Sequence, residues 1–400
     1  MILVKRFVIM EAKVYVKRTF HPVGQGAFFT EQFYGDDAET LLYNVVYDCG
    51  SKSKGIKTQM ERSIRNVFHD KKKIDVLFLS HFDDDHINFV KTLKDKGHLS
   101  GTRIFIPMLA AEEWLEIEPF YSNYKYTLSL NDGTKGGTRV IRVKFDEGDA
   151  GERTLDNRND PVVIEGIEGD TIPSGTVLRP KLPVLDAIWC YAPFNVQFNA
   201  LIAEFQKKLV AEGLEYGKLK DRDYVLDKNN HRKLKKIYRG LGKKPSGGTA
   251  INLNSLLVMS YPKESDKCCE LGARRMISCR GGLWRDLYPG CYSGSCLYTG
   301  DTSANEDFVW KRIEQMINQC LGQDSKLVLL QIPHHGSRKS YDKKLLDSTR
   351  FFAGFTNYDP FYHQHIFDDN LIMKFALNHQ PLILVTRDYC SKYEEYWGVQ

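Results

Sequence analysis

Leu79-Ser80-His81-Phe82-Asp83-Asp84-Asp85-His86 is the stretch whose reading decides the fold. Five of its last six residues can ligate a metal, and a β-type run at 74–79 leads straight into it. A strand that ends in such a cluster delivers its ligands at a strand-to-helix turn, where the backbone can aim several side chains inward. His81 and Asp83 are two apart and can reach one ion. Asp85 and His86 are adjacent, so a tight turn would send them toward a second. Imidazole with carboxylate suits Zn, Mn or Fe, and the carboxylate share moves the balance toward Mn or Mg. Asp83-Asp84-Asp85 alone would read as a solvated acidic turn. Histidines on both sides of the acids, directly after a buried-looking strand, make it a metal site.

Other pieces lie at the ends of strands elsewhere. Upstream, Val23-Gly24-Gln25-Gly26 sits between two β-type segments, 13–16 and 27–34, and its glycines permit a tight turn or a close backbone approach. A strand at 41–47 runs into Asp48-Cys49-Gly50-Ser51. Downstream, Leu297-Tyr298-Thr299-Gly300-Asp301 puts one carboxylate at a strand tip, and a buried strand at 327–332 delivers Pro333-His334-His335-Gly336-Ser337-Arg338.

In this order the pieces resemble the metallo-β-lactamase superfamily, whose signature reads His-x-His-x-Asp-His. Asp83 stands at the second His, as in the ComEC-like branch, named for the hydrolase domain of a competence DNA-uptake protein and including free-standing relatives. The resemblance implies an α/β fold, a four-layer αβ/βα sandwich, and a hydrolase that cleaves phosphodiesters of DNA or RNA with a metal-activated water. It implies metal ligands His81, Asp83, Asp85, His86, Asp301 and His334, with Asp301 bridging. His334 is favoured over His335 to complete the site of Asp85 and His86, and Asp84 should point away. Asp85, His334, His335 and Ser337 would take part in catalysis. Asp48, Asn254, Ser255, Arg338 and His365 would support the metals or hold substrate. The Ala27 that follows the Gly24–Gly26 turn departs from the acid usual there. So does the lack of a further histidine between the first motif and Asp301, where only His98 and His231 fall. One or two divalent ions are expected, zinc or manganese first and magnesium also admissible; two, about 3.5–4 Å apart, would clamp the phosphoryl oxygens.

Around these motifs, 60–69 has helical spacing closed by Lys71-Lys72-Lys73, 87–93 reads as one helix whose positive end faces the site, and 198–214 is amphipathic. Further strands are expected at 103–107, 140–145, 162–164, 187–193, 251–259, 351–355 and 382–386, and helices at 308–321 and 371–377. The expected organisation is a single domain over 1–400, with a helical, basic insertion at 197–247 and a Cys-rich hairpin insertion at 261–296. Arg232, Lys233, Lys235, Lys236 and Arg239 make the first insertion a candidate phosphate-backbone contact, although a charge run is more often a solvated face. Cys268, Cys269, Cys279, Cys291 and Cys296 lack the paired spacing of a zinc knuckle and read as unligated thiols.

Composition excludes some classes. The 400 residues are 42% hydrophobic, enough for a large core. A formal charge of +5 is no coat protein's signature. No run of about 18 apolar residues occurs. The expectation is a cytoplasmic protein with reduced thiols, no membrane segment, nucleic acid as substrate, and a protein partner encoded nearby. Two alternatives stay open: a metallo-hydrolase of a small ester, lactone, amide or cyclic nucleotide, and a metal-stabilised binding or scaffold protein.

Overall fold

The computed structural model describes residues 14–69, 72–108, 119–132, 134, 136–144, 160–182, 189–196, 199–240, 255–263, 268–275, 283–284, 294–305, 307–323, 325–338, 340–341, 345, 350–362 and 367–399. Asn254, His363, His365, Cys279 and Cys291 lie outside them, so the expectations placed on these residues do too.

The strands in chain order are β1 (Val14–Phe20), β2 (Gly26–Tyr34), β3 (Leu41–Ser51), β4 (Val76–Phe78), β5 (Arg103–Pro107), β6 (Arg139–Val143), β7 (Val162–Val163), β8 (Thr171–Ile172), β9 (Leu178–Arg179), β10 (Trp189–Asn195), β11 (Leu256–Pro262), β12 (Cys268–Arg275), β13 (Leu283–Trp284), β14 (Cys296–Tyr298), β15 (Leu327–Gln331), β16 (Phe351–Asn357), β17 (Leu382–Val385) and β18 (Tyr393–Val399). One sheet has the order β13-β12-β18-β1-β2-β3-β4-β5-β6-β8 and the other β17-β16-β15-β14-β11-β10-β9-β7. Each turns from antiparallel at one side to parallel at the other. In the first, β1–β3 are antiparallel and β3–β6 parallel; in the second, β10, β11 and β14 are antiparallel and β14–β17 parallel. The parallel strands are the nearly continuous apolar runs that burial on both faces demands.

The helices are α1 (Lys57–Val67), α2 (Asp84–Ile87), α3 (Val90–Asp95), α4 (Pro119–Leu128), α5 (Asn199–Ala211), α6 (Arg222–Leu226), α7 (Lys228–Gly240), α8 (Asp307–Leu321), α9 (Pro333–Gly336) and α10 (Asn370–Leu377). Three apolar interfaces stack them into layers. Phe20, Phe29, Tyr47, Trp189, Tyr191, Tyr298, Phe355 and Trp397 fill the space between the sheets. Met60, Ile64 and Leu93 of α1 and α3 cover the outer face of the first sheet. Val309, Ile313, Met316 and Phe375 of α8 and α10 cover that of the second. This is the four-layer αβ/βα sandwich. Its motif-bearing loops all leave the strand ends at one edge.

Three details differ from expectation. The helix expected at 87–93 is broken into α2 and α3. The strand of 41–47 continues through Asp48 to Ser51. The chain's last strand, β18, was not expected and belongs to the first sheet, between β1 and β12, so part of the Cys-rich insertion extends that sheet as β12 and β13. Helices α5 to α7 pack around a small core of their own, including Phe205, Leu209, Val225, Leu234 and Ile237.

Candidate metal centre

The centre is assembled from four strand ends. β3 supplies Asp48 through a bulge: Phe28 pairs with Cys49 and Phe29 with Tyr47, leaving Asp48 as the extra residue at φ 55°. Such a bulge re-aims a side chain. Asp48 Oδ1 accepts the Ser80 N–H (2.7 Å), and Oδ2 accepts from Ser80 Oγ and His86 Nδ1, each at 2.7 Å. The turn after β4 supplies His81, Asp83, Asp85 and His86. Asp301 follows β14, and His334 and His335 follow β15.

The four histidines converge on Asp301, and Asp83 joins neither of the two close groups of ligand atoms. Its Oδ1 is 3.2 Å from His86 Nε2 and 3.7 Å from His335 Nε2; its Oδ2 is 3.7 Å from His81 Nε2 and 3.6 Å from His334 Nε2. His335 Nε2 also stands 3.5 Å from Asp85 Oδ2. Ligand atoms of His81, His86 and Asp301 all lie within 4.8 Å of one another, and so do those of Asp85, His86 and His335. It is therefore His335 that stands with Asp85 and His86. His334 faces the other oxygen of Asp301, on the side of His81, where the motif comparison lacked a histidine. Both residues hold left-handed backbone (φ 49° and 56°), which throws two consecutive rings into one site.

The hydrogen bonds select the tautomers. Ser80 Oγ donates to Asp48 and so accepts from His81 Nδ1 (2.9 Å); His86 Nδ1 donates to Asp48; His335 Nδ1 donates to the Asn357 carbonyl (3.0 Å). Each ring thereby turns an Nε2 lone pair inward, the arrangement by which outer partners fix metal-ligating histidines. His81 Nε2, His86 Nε2, His335 Nε2 and Asp301 Oδ1 are buried with no hydrogen-bond partner. Orphaned buried polar atoms are costly. Four of them around one small space fit a divalent cation bound by N and O donors.

The electrostatics agree. Burial opposes charge on His86, but Asp301 and Asp48 outweigh it and hold its pKa well above the ordinary value, so its Nε2 takes up positive charge, either a proton or the cation it would ligate in the proton's place. Burial would raise Asp301, yet His86, His334 and His335 keep it well below the carboxylate range. Burial and then the neighbouring Asp85 push Asp83 up to about 6. The cluster calls for positive charge at its centre.

Of the remaining expected residues, Ser255 Oγ accepts the Asp301 N–H (3.2 Å) and lies 3.5 Å from His81 Nδ1. Asp84 is exposed and accepts from Asn123, turned away as expected. Ser337 is buried in the α9 turn, and Arg338 is exposed. His98 bonds the Lys72 carbonyl, away from the cluster. In α7, Lys233 donates to the Glu212 carbonyl, Lys236 pairs with the Glu212 carboxylate (2.9 Å) and Arg232 with Asn229; Lys235 and Arg239 lie on the same helix. One site residue was not anticipated: Lys52, whose Nζ donates to Asp85 Oδ1 at 2.8 Å. A lysine two residues past Gly50 carries no sequence signal beyond ordinary solubility.

A four-layer sandwich with a His/Asp cluster at one edge of its two sheets defines the metallo-β-lactamase type of fold. No family model matches the chain, and no curated protein does. Among solved structures it is similar to the metallo-beta-lactamase fold protein YhfI from Bacillus subtilis, at 10% identity and TM-score 0.40, covering 95% of this chain and 99% of that one. It is also similar to a long form RNase Z from yeast, at 10% identity and TM-score 0.30, covering 94% of this chain and 36% of that one. Overlaps this loose bear on neither activity nor substrate.

Proposed function

We propose that this protein is a metal-dependent phosphodiesterase of the metallo-β-lactamase superfamily, ComEC-like branch, acting on nucleic acid. The observation that carries the reading is the set of inward, unpartnered Nε2 and Oδ1 atoms around Asp301. His81, Asp83, Asp301 and His334 would hold one divalent ion, and Asp85, His86, His335 and Asp301 a second. Bound there, the ions supply an acidified water and neutralise charge on the phosphoryl group.

The chain's own residues do the rest. Asp48 and Ser80 lock His86 and His81 in place. Lys52 holds Asp85 by one oxygen, leaving the other toward His335, and adds a half-exposed cation where an anionic substrate must approach. His334 differs from the other three histidines: its side chain is 23% exposed, against 3% or less for them. It is the ring nearest the opening, and Ser340 Oγ, 2.8 Å from its Nδ1, holds it with Nε2 toward Asp301, where it would serve as a ligand.

Labelled single- and double-stranded DNA and RNA, incubated in Mn, Mg or Zn beside an Asp83→Ala/His86→Ala double variant, test this. Cleavage by the wild type alone is expected. Turnover of small esters without any strand cleavage would replace the substrate class. A wild type that binds no metal in equilibrium dialysis would remove the reading altogether.

A further inference from the structure

Two residues beyond Lys52 the chain enters a surface groove of about 560 Å³ that the proposed chemistry does not use. Its walls are the start of α1 with Lys54 and Gln59, the turn at 360–361 after β16, and the turn at 386–388 after β17. At its rim stands Phe361, 76% exposed. The Arg387 guanidinium lies 4.8 Å from the centre of that ring. Neither is loosely held. Buried Asp359 accepts the Phe361 N–H at 2.9 Å, and its same oxygen is 3.8 Å from Arg387 Nε. Gln59 donates to both the Pro22 and Arg387 carbonyls, fixing the two walls to each other.

The groove has the chemistry of a stacking platform beside an anion site. A ring this exposed contributes nothing to the core, and a guanidinium on one side leaves the remaining surface open to another flat group. The groove's lining holds two cations, Lys54 and Arg387, and one acid, Asp388, whose Oδ1 accepts the Cys390 N–H (2.9 Å); a second acid, Asp359, stands behind Arg387. α1 begins here with no side-chain cap and no acid in its first turn. The groove lies near the metal centre along the chain: Lys54 is two residues from the lysine that grips Asp85, and Phe361 is followed by Tyr362, which feels the charges of Lys52 and Asp85.

We propose that this groove binds the single-stranded segment flanking the scissile phosphate, with a base stacked on Phe361 and its phosphate between Lys54 and Arg387. The inference rests on the nuclease reading and names its substrate as a strand with unpaired bases. In a duplex both faces of a base are already stacked, so only an unpaired base can lie on the ring. An acidic peptide would engage the cations but leave the ring unused.

The test is an anisotropy titration of the metal-loaded full chain with a short labelled phosphorothioate oligonucleotide, which resists cleavage. Phe361→Ala is expected to weaken single-strand binding by roughly 5–50-fold, in line with the loss of one stacked base, and Phe361→Trp to restore it. Lys54→Ala should lower affinity and reduce the salt dependence by about one phosphate contact. A duplex of the same sequence should bind more weakly and be insensitive to Phe361→Ala. Equal affinity of wild type and Phe361→Ala, or no binding by the wild type, overturns the proposal. Cleavage of the unmodified strand, assayed in parallel, separates the two readings. Cutting with binding indifferent to Phe361 refutes the groove alone. Binding that depends on Phe361 without cutting in any metal refutes the nuclease reading and leaves the groove as a binding site.

Discussion

Asp48 shows how much one residue can set. Its bulged, left-handed backbone is strained for a residue with a Cβ, and of the five non-glycine residues with positive φ among those described, three are Asp48, His334 and His335. Strain concentrated in this way marks a place where the surrounding structure over-determines the conformation. Asp48→Ala should lower metal affinity roughly 10–100-fold while the fold persists; unchanged affinity by calorimetry, with an unchanged melting curve, would show that Asp48 positions nothing. The Asp-x-Gly motif made this residue legible in the sequence. Lys52 was not, because a surface lysine and one that grips a ligand are spelled alike. Nor could the sequence tell that His335, and not His334, stands with Asp85, since that depends on two left-handed backbone angles. His21 gives a pH prediction. Buried against Phe28 and bonded to Thr30 Oγ1 (3.0 Å), its ring has its pKa pulled down to about 3 by burial and then by Lys392. The unfolded chain, near 6.5, takes up the proton first, so stability is full above that value and falls as pH drops from about 6.5 toward 3. The slope is about 1.4 kcal/mol per pH unit for this one group. Urea unfolding at stepped pH should show it in the wild type and show less of it in His21→Gln; identical slopes would refute it.

At the scale of elements, the turn carrying Asp85 and His86 is placed by what it touches. Asn88 bonds both the N–H and the carbonyl of Ser51 (3.0 and 2.8 Å), and the Phe89 N–H bonds the Cys49 carbonyl (3.0 Å). These contacts break the expected single helix into α2 and α3, and hydrophobic periodicity cannot register them. They also bring α2 so near β3 that a Cβ on Gly50 would lie 2.5 Å from the backbone of both Asp85 and His86. Nothing flexible is there to yield. Gly50→Ala should therefore shift the ligands by a fraction of an ångström to an ångström and reduce turnover roughly 100-fold. The measurement is metal stoichiometry together with rate, and a variant retaining both would contradict the account. The strands bearing the motifs were readable because each is a short apolar run ending in chemistry. The basic helix α7 was readable as an element, but its pairing with Glu212 on a neighbouring segment was not.

At the scale of the molecule, a buried cation joins the two sheets. Arg18 donates to Glu31 (2.8 Å), to Glu395 (2.9 Å) and to the Gly294 carbonyl (2.9 Å), while Tyr191, Tyr298 and Ser260 of the opposite sheet donate to Glu31. Removing one partner of such a set strands the others. Arg18→Met should cost about 3–5 kcal/mol, and adding Glu31→Gln and Glu395→Gln should recover part of it; a single variant as stable as wild type in urea would refute this. The layered architecture followed from the order of motif-bearing strands. The last strand did not, because Tyr393-Glu394-Glu395-Tyr396-Trp397 hides its inward alternation behind two glutamates, one of them facing Arg18. That strand's position has a consequence for how the protein is made. Arg18 and Glu395 are 377 positions apart, and β18 lies between β1 and β12. At 5–20 residues per second, the 377 positions between Arg18 and Glu395 take roughly 20–75 s to synthesise. Throughout that time β1 has an open edge and a half-compensated arginine. The nascent chain can order its local βα units, but it must wait for residues 393–399 to leave the ribosome before the first sheet closes. Until then that edge is the surface a chaperone would have to guard.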